Sequence, residues 1–226
     1  MDAAVVLDNF TAIEFLANGD GNYHKPILLM NVSWQEYTGF LKEFEERAGW
    51  RLAYDDGSLE IMPPLREHEK PKDTIFLLVY EYCSHLGILL ETGGSTTFRR
   101  KTKDKGVEPD TCFYVQNAEK NIDLTEKLKP ETYPVPDVAV EIDVTHGSLD
   151  KFKIYAALGV PELWIYNGKT VNFYRLANDA YDQSQMSLAF PQFSSTLLTE
   201  FLKMSETAGQ SLALKAFREH LSNSQK

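Results

Sequence analysis

The chain has 226 residues, of which 43% are hydrophobic and 25% charged, the balance of an ordinary globular domain. Its net charge of −10 argues against tight non-specific binding of duplex DNA, because that affinity comes from Lys and Arg neutralising phosphates. The longest apolar run, Ile75 to Tyr80, falls far short of the ~20 residues a membrane helix needs, and the N-terminus carries Asp2 and Asp8 rather than a basic region, so neither a membrane span nor a secretory signal is expected.

Residues 1–30 read as an N-terminal extension that includes the turn-rich Asn18-Gly19-Asp20-Gly21-Asn22. Residues 31–226 read as one domain with a C-terminal helix. Ser33 is a good N-cap, Glu36 completes a capping box, and Tyr37, Phe40, Leu41 and Phe44 recur at helical spacing up to a stop at Gly49. Trp50–Tyr54, Asp56-Gly57 and Ser58–Met62 predict a β-hairpin, which Pro63-Pro64 ends. A helix is expected from Pro71, in its first turn, to Leu86, with Gly87 closing it. On that reading Glu67 and Glu69 precede the helix.

Ile88–Leu90, Thr96–Arg100, Val107–Gln116 and Asp137–Thr145 read as strands, with Lys101–Gly106 a charged turn and Gln116–Pro134 a polar connection. Ser148–Leu158 reads as a helix capped by Ser148. Leu163–Tyr166 and Val171–Tyr174 are expected to pair across Asn167-Gly168, and one last helix to run from Ser195 to Leu221. This order predicts an α/β (α+β) domain, a mixed β-sheet flanked by helices. Cys83 and Cys112 lack metal-site spacing and sit among apolar residues, so both are expected to be buried thiols in a reducing, cytoplasmic compartment.

The stretch Pro136-Asp-Val-Ala-Val-Glu-Ile-Asp-Val144 carries the most chemistry. Alternation puts Val138, Val140, Ile142 and Val144 on one face and Asp137, Ala139, Glu141 and Asp143 on the other. Three carboxylates on one strand face need water, basic side chains or a divalent cation to offset their repulsion. One reading is an outer strand with a solvated polar face. The other follows from Glu108-Pro109-Asp110 at the mouth of the neighbouring strand. If the two strands pair, Asp110 and Glu141 converge, and Mg²⁺ is often held by one or two carboxylates plus substrate phosphate. Lys151, in the first turn of the next helix, opposes the helix dipole there and could reach back toward the acids.

Asp137-Val-Ala-Val-Glu141, Lys151-Phe-Lys-Ile-Tyr155 and Gly159-Val-Pro-Glu-Leu-Trp-Ile165 together resemble the Uma family of putative restriction endonucleases, within the PD-(D/E)xK nuclease superfamily. Glu67-His68, Gly94-Ser-Thr-Thr97 and Gly106-Val-Glu-Pro-Asp-Thr-Cys-Phe-Tyr-Val115 are similar too, and the likeness spans roughly residues 30–220. The resemblance implies a restriction-endonuclease-like fold and a Mg²⁺- or Mn²⁺-dependent phosphodiesterase acting on nucleic acid, with DNA the expected substrate, and a homodimer. It matches Asp110 and Glu141 to the two acids and Lys151 to a helical lysine. Asp143 stands where other superfamily members carry a lysine, so it either adds a ligand or spoils that role. Glu67 or Glu69 matches a further acid near the first helix.

The mechanism that follows uses Asp110, Glu141 and the backbone carbonyl of Ile142 as metal ligands, with Lys151 orienting water or stabilising developing charge. His68 and His146 are candidate proton-transfer helpers. Arg99, Arg100, Lys101, Lys103 and Lys105 form the basic cluster and either contact nucleic-acid phosphates or make a solvated turn. Two rivals remain: an inactive nuclease-fold binding module, favoured by the acidic charge and Asp143, and an acidic strand that serves dimer contacts.

Overall fold

The computed structural model describes residues 5–7, 25–45, 49–116, 118, 133–142 and 149–224. The Asn18–Asn22 loop, most of the 116–134 connection, Asp143, His146 and Ser148 lie outside those residues. The fold is mixed α/β, as expected, with its strands divided between two six-stranded sheets.

The first sheet has the order β1 (Val5–Leu7), β2 (Ile27–Leu29), β4 (Ser58–Met62), β3 (Arg51–Asp55), β7 (Lys105–Val107), β6 (Phe98–Arg100). The second has the order β12 (Ala180–Ser184), β11 (Val171–Ala177), β10 (Glu162–Tyr166), β9 (Val138–Ile142), β8 (Thr111–Tyr114), β5 (Glu91–Thr92). β1–β2 and β9–β10 are parallel pairs.

The predicted strand Val107–Gln116 is two strands, one in each sheet. Pro109 has no N–H to continue a ladder, so the chain crosses between layers there. Glu108 anchors the crossing: its backbone N–H donates to Leu52 O and its carboxylate accepts from Leu52 N at 2.8 Å. The Asp56-Gly57 hairpin is as expected, with both residues left-handed (φ 44° and 83°). Ile88–Leu90 is not a strand; pairing begins at Glu91. Nor is Asn167-Gly168 a two-residue turn. Tyr166 pairs with Val171, so four residues make the loop, and Asn167 Oδ1 accepts the N–H groups of Lys169 and Thr170.

Among the described residues five α-helices cover the sheets. α1 (Trp34–Phe44) starts at the predicted capping box, with the Ser33 N–H donating to Glu36 Oε2 at 2.7 Å. Its Tyr37 stacks on Tyr54 of β3 with centroids 4.6 Å apart. That approach requires glycine at 106, because a Cβ there would lie 2.1 Å from Tyr37 Oη. α2 (Arg66–Leu86) begins a full turn before Pro71, contrary to expectation. The proline costs the bond its N–H would have made to Glu67 O, and the buried stripe Ile75, Leu78, Val79 and Tyr82 outweighs that loss. α3 spans Lys151–Leu158, α4 Ser195–Ala208 and α5 Gln210–Ser224. The last two replace the single predicted helix, because Gly209 (φ 94°, ψ 154°) leaves helical geometry between them.

The layers run α1, first sheet, α3, second sheet, then α2, α4 and α5. Val138, Val140 and Ile142 of β9 pack in one core with Ile75, Leu78, Leu198 and Phe217. Ala139 faces the other way, into a core with Ile154, Tyr155 and Leu158 of α3 and Phe98 and Val107 of the first sheet. All five residues of β9 are buried, and the strand lies inside its sheet, so the reading of an outer strand with a solvated face fails. Cys83 and Cys112 are buried free thiols, pushed up to about 12 by burial. Among the described residues no helix is long and apolar enough to cross a membrane.

Candidate active site

β8 and β9 pair antiparallel, with Thr111 opposite Val140 and Cys112 opposite Ala139. One step further along this register, Asp110 falls opposite Glu141. Both then share the Ala139 face, which looks toward α3. Asp110 is fixed there by two bonds: its N–H donates to Val140 O at 3.1 Å, and its Oδ2 accepts the Ile142 N–H at 2.8 Å.

α3 supplies the rest. Asp150 is its N-cap residue and Lys151 its first helical residue. Lys151 Nζ donates to Glu141 Oε2 at 2.6 Å. One turn on, the Tyr155 hydroxyl donates to Glu141 Oε1 at 2.5 Å. Residues four apart on a helix share a face, so a single helix grips both carboxylate oxygens.

Burial pushes Glu141 up to about 7, and the neighbouring Asp110 charge adds to it, against the pull of Lys151. Burial opposes the charge on Lys151, but Glu141, Asp110 and Glu60 together overcome that and raise its pKa, so the amine stays protonated. Burial, together with the adjacent Glu141, holds Tyr155 well above the ordinary phenol range.

Asp110, Glu141, Ile142 and Lys151 line a cavity of about 170 Å³, with His68 and Glu69 from the first turn of α2. His68 is buried and Glu69 half exposed, the latter paired with Lys72. Glu67 is exposed and does not line the cavity, whereas Glu69, two residues on in the same turn, does. Asp143 and His146 lie outside the described residues. Asp137, the third acid of the strand face, accepts the Val115 N–H at 2.7 Å and serves to tie β8 to β9.

The basic cluster is dispersed. Alternation along β6 sends Arg99 and Arg100 to opposite sides. Arg99 lines a second cavity, while Arg100 donates to Tyr133 O at 2.5 Å. Lys105 pairs with Asp55, and Lys101 is exposed in a 3₁₀ turn, Lys101–Lys103.

Three members are not read from the sequence: Tyr155, Glu60 and Arg51, the last of which lines the cavity. Tyr155 was legible in principle, four residues after Lys151. Glu60 of β4, which is buried and accepts the Leu149 N–H at 3.3 Å, gave no signal, because alternation with Leu59 and Ile61 reads as a solvent-facing position.

Among the described residues no group of three or more His, Cys, Asp or Glu side chains could by itself hold a metal ion. Two carboxylates and the Ile142 backbone beside a cavity do suit Mg²⁺, which keeps several waters and takes phosphate oxygens. Both Glu141 oxygens accept one bond, and each retains a lone pair for a cation.

The site thus consists of two paired strands bearing one acid each, backed by a helical lysine. The sequence matches the Uma2 family, described as "Putative restriction endonuclease", over residues 34–208, and the chain belongs to that family. A crystal structure described as "a putative nuclease belonging to DUF820" from Anabaena variabilis is similar, with a TM-score of 0.47 and 15% identity, covering 67% of this chain and 90% of that one. None of the curated proteins matches the sequence.

Proposed function

We propose that the protein is a Mg²⁺-dependent endonuclease that hydrolyses phosphodiester bonds, with DNA as its substrate. The observation that carries this reading is the convergence of Asp110 and Glu141 on one buried face, with Lys151 bonded to Glu141 at 2.6 Å. Family membership supports the reaction class.

Asp110, Glu141 and the Ile142 carbonyl would hold the cation. Once bound, it would lower the pKa of a water and neutralise charge on the phosphoryl group. Asp110 is held in place by the Ile142 N–H, so little reorganisation is needed at the moment of reaction. Tyr155 fixes the other oxygen of Glu141 and keeps the carboxylate plane constant. Lys151 stays protonated and presents a positive charge at the cavity wall, suited to a phosphate that grows more negative. His68 lines the same cavity, where a proton-transfer helper would have to sit. Two buried thiols suit a cytoplasmic setting.

A second reading has one observation in its favour. Both Glu141 oxygens already have protein partners, as in a site retired from catalysis and kept for its packing. Cleavage of plasmid DNA by pure protein in Mg²⁺, Mn²⁺ or EDTA separates the two. Metal-dependent nicking that disappears in Asp110→Ala supports the nuclease. No nicking by wild type under any metal condition would refute it.

A further inference from the structure

A second cavity, of about 390 Å³, lies beside the first, and both are lined by Gly49 and Arg51. Their charges are opposite in character. The first has four carboxylates (Glu69, Asp110, Glu141, Asp150) against Arg51, Lys151 and His68. The second has three cations (Lys42, Arg51, Arg99) against Glu45 and Glu108. In a chain of net charge −10 a cation-rich hollow goes against the overall composition.

The carboxylate of Glu108 is already occupied: it accepts from the Thr97 hydroxyl at 2.5 Å and from Leu52 N at 2.8 Å. Arg51 acts on it through charge alone, and no direct Arg51–Glu108 hydrogen bond is among its contacts. Arg51 donates from one terminal nitrogen to Trp50 O at 3.0 Å, while its buried Nε–H has no acceptor among the described residues. A buried charged donor without an acceptor is costly, and the Arg51 side chain lines both cavities, where an anion would offset its charge. Ser95 and Thr97 add hydroxyls to the same wall, and Trp50 adds an aromatic surface of the kind on which bases stack.

Resting on the nuclease reading of the first cavity, we infer that the second cavity is the binding subsite for the nucleotide next to the scissile phosphodiester, its phosphate held by Arg51, Arg99 and Lys42. The nucleic-acid grip is then formed by side chains from α1, β3 and β6 that meet in space. The contiguous run Arg99–Lys101 does not form it, because Arg100 turns into the protein. Arg51 is common to both hollows and sets the step from the cation-binding acids to the neighbouring phosphate.

The test is fluorescence anisotropy of a labelled mixed-sequence oligonucleotide, single-stranded and duplex, at low salt with EDTA, so that binding is read without cleavage. Arg99→Ala is expected to weaken binding by about tenfold, and Lys42→Glu, at an exposed helical position that does not threaten folding, by a similar factor. Lys169→Glu, in the exposed β10–β11 loop, removes the same charge elsewhere and is the control. Equal weakening by Lys42→Glu and Lys169→Glu would overturn the inference, as would wild-type protein that binds neither oligonucleotide. The two readings fail separately. Metal-dependent cleavage with no dependence on Lys42 or Arg99 keeps the nuclease and removes the subsite. Binding that depends on both residues, without cleavage in Mg²⁺ or Mn²⁺, keeps the subsite and removes the nuclease.

Discussion

Glu141 and Glu162 are both buried carboxylates on adjacent strands of one sheet, and they do opposite things. Glu162 on β10 faces the helical side of the sheet, with no measurable exposure. It accepts from Trp164 Nε1, the Ser187 hydroxyl, Leu188 N and Ala189 N, at 2.7 to 3.1 Å. Those neutral donors close around it and fasten the 187–190 loop to the sheet. Glu141 on β9 faces the other side, has two side-chain partners, one of them charged, and forms part of a cavity wall. Burial raises both acids. What separates a structural carboxylate from a candidate catalytic one here is the kind of neighbour and the open space beside it.

That contrast predicts a crossing of effects. Glu141→Gln should reduce metal-dependent cleavage on the order of 10³-fold while leaving the protein folded, since Gln keeps an acceptor for Tyr155. Kinetics and thermal melting of one preparation check both halves. Glu162→Ala should do the reverse, destabilising the fold by about 3 kcal/mol because four donors lose their acceptor in a dry site. Denaturant titration reads this, and a loss below 1 kcal/mol would erase the distinction. Tyr155→Phe is intermediate: it removes one oriented donor from Glu141 and should lower cleavage or metal affinity about tenfold. Calorimetry with Mn²⁺ gives that figure without relying on turnover.

A smaller effect is set by pH. The folded-state pKa of Glu162 is raised, chiefly by burial and against the pull of its donors. The folded protein therefore holds a proton that the unfolded chain releases near 4.5, and the associated stability is complete below that pH and lost as pH rises through the folded value. Melting temperature should fall over that window in wild type, and the slope should shrink in Glu162→Gln.

Local chemistry made much of this legible. The capping box at Ser33, the Asp-Gly hairpin and the alternation of β9 all follow from interactions within a few residues. The convergence of Asp110 with Glu141 followed from strand pairing. Two kinds of feature were hidden. Glu60 and Arg51 join the site across the layers, and nothing near them in sequence marks that. Pro71 misled in the other direction, because its local penalty was outweighed by a buried face, Ile75, Leu78, Val79, Tyr82 and Cys83, that a propensity rule does not weigh. The Gly159–Trp164 motif, read at first alongside the acids, is architecture: Gly159 ends α3 at φ 83°, and Glu162 with Trp164 forms the clamp described above.

The claim under all of this is that Asp110 and Glu141 share a divalent cation. Crystals soaked in Mn²⁺ and measured for anomalous scattering address it without any assumption about substrate. One strong peak is expected within bonding distance of both carboxylates, lost in Glu141→Gln crystals. A peak bound elsewhere, or none while Lys151 and Tyr155 keep Glu141 to themselves, would contradict it.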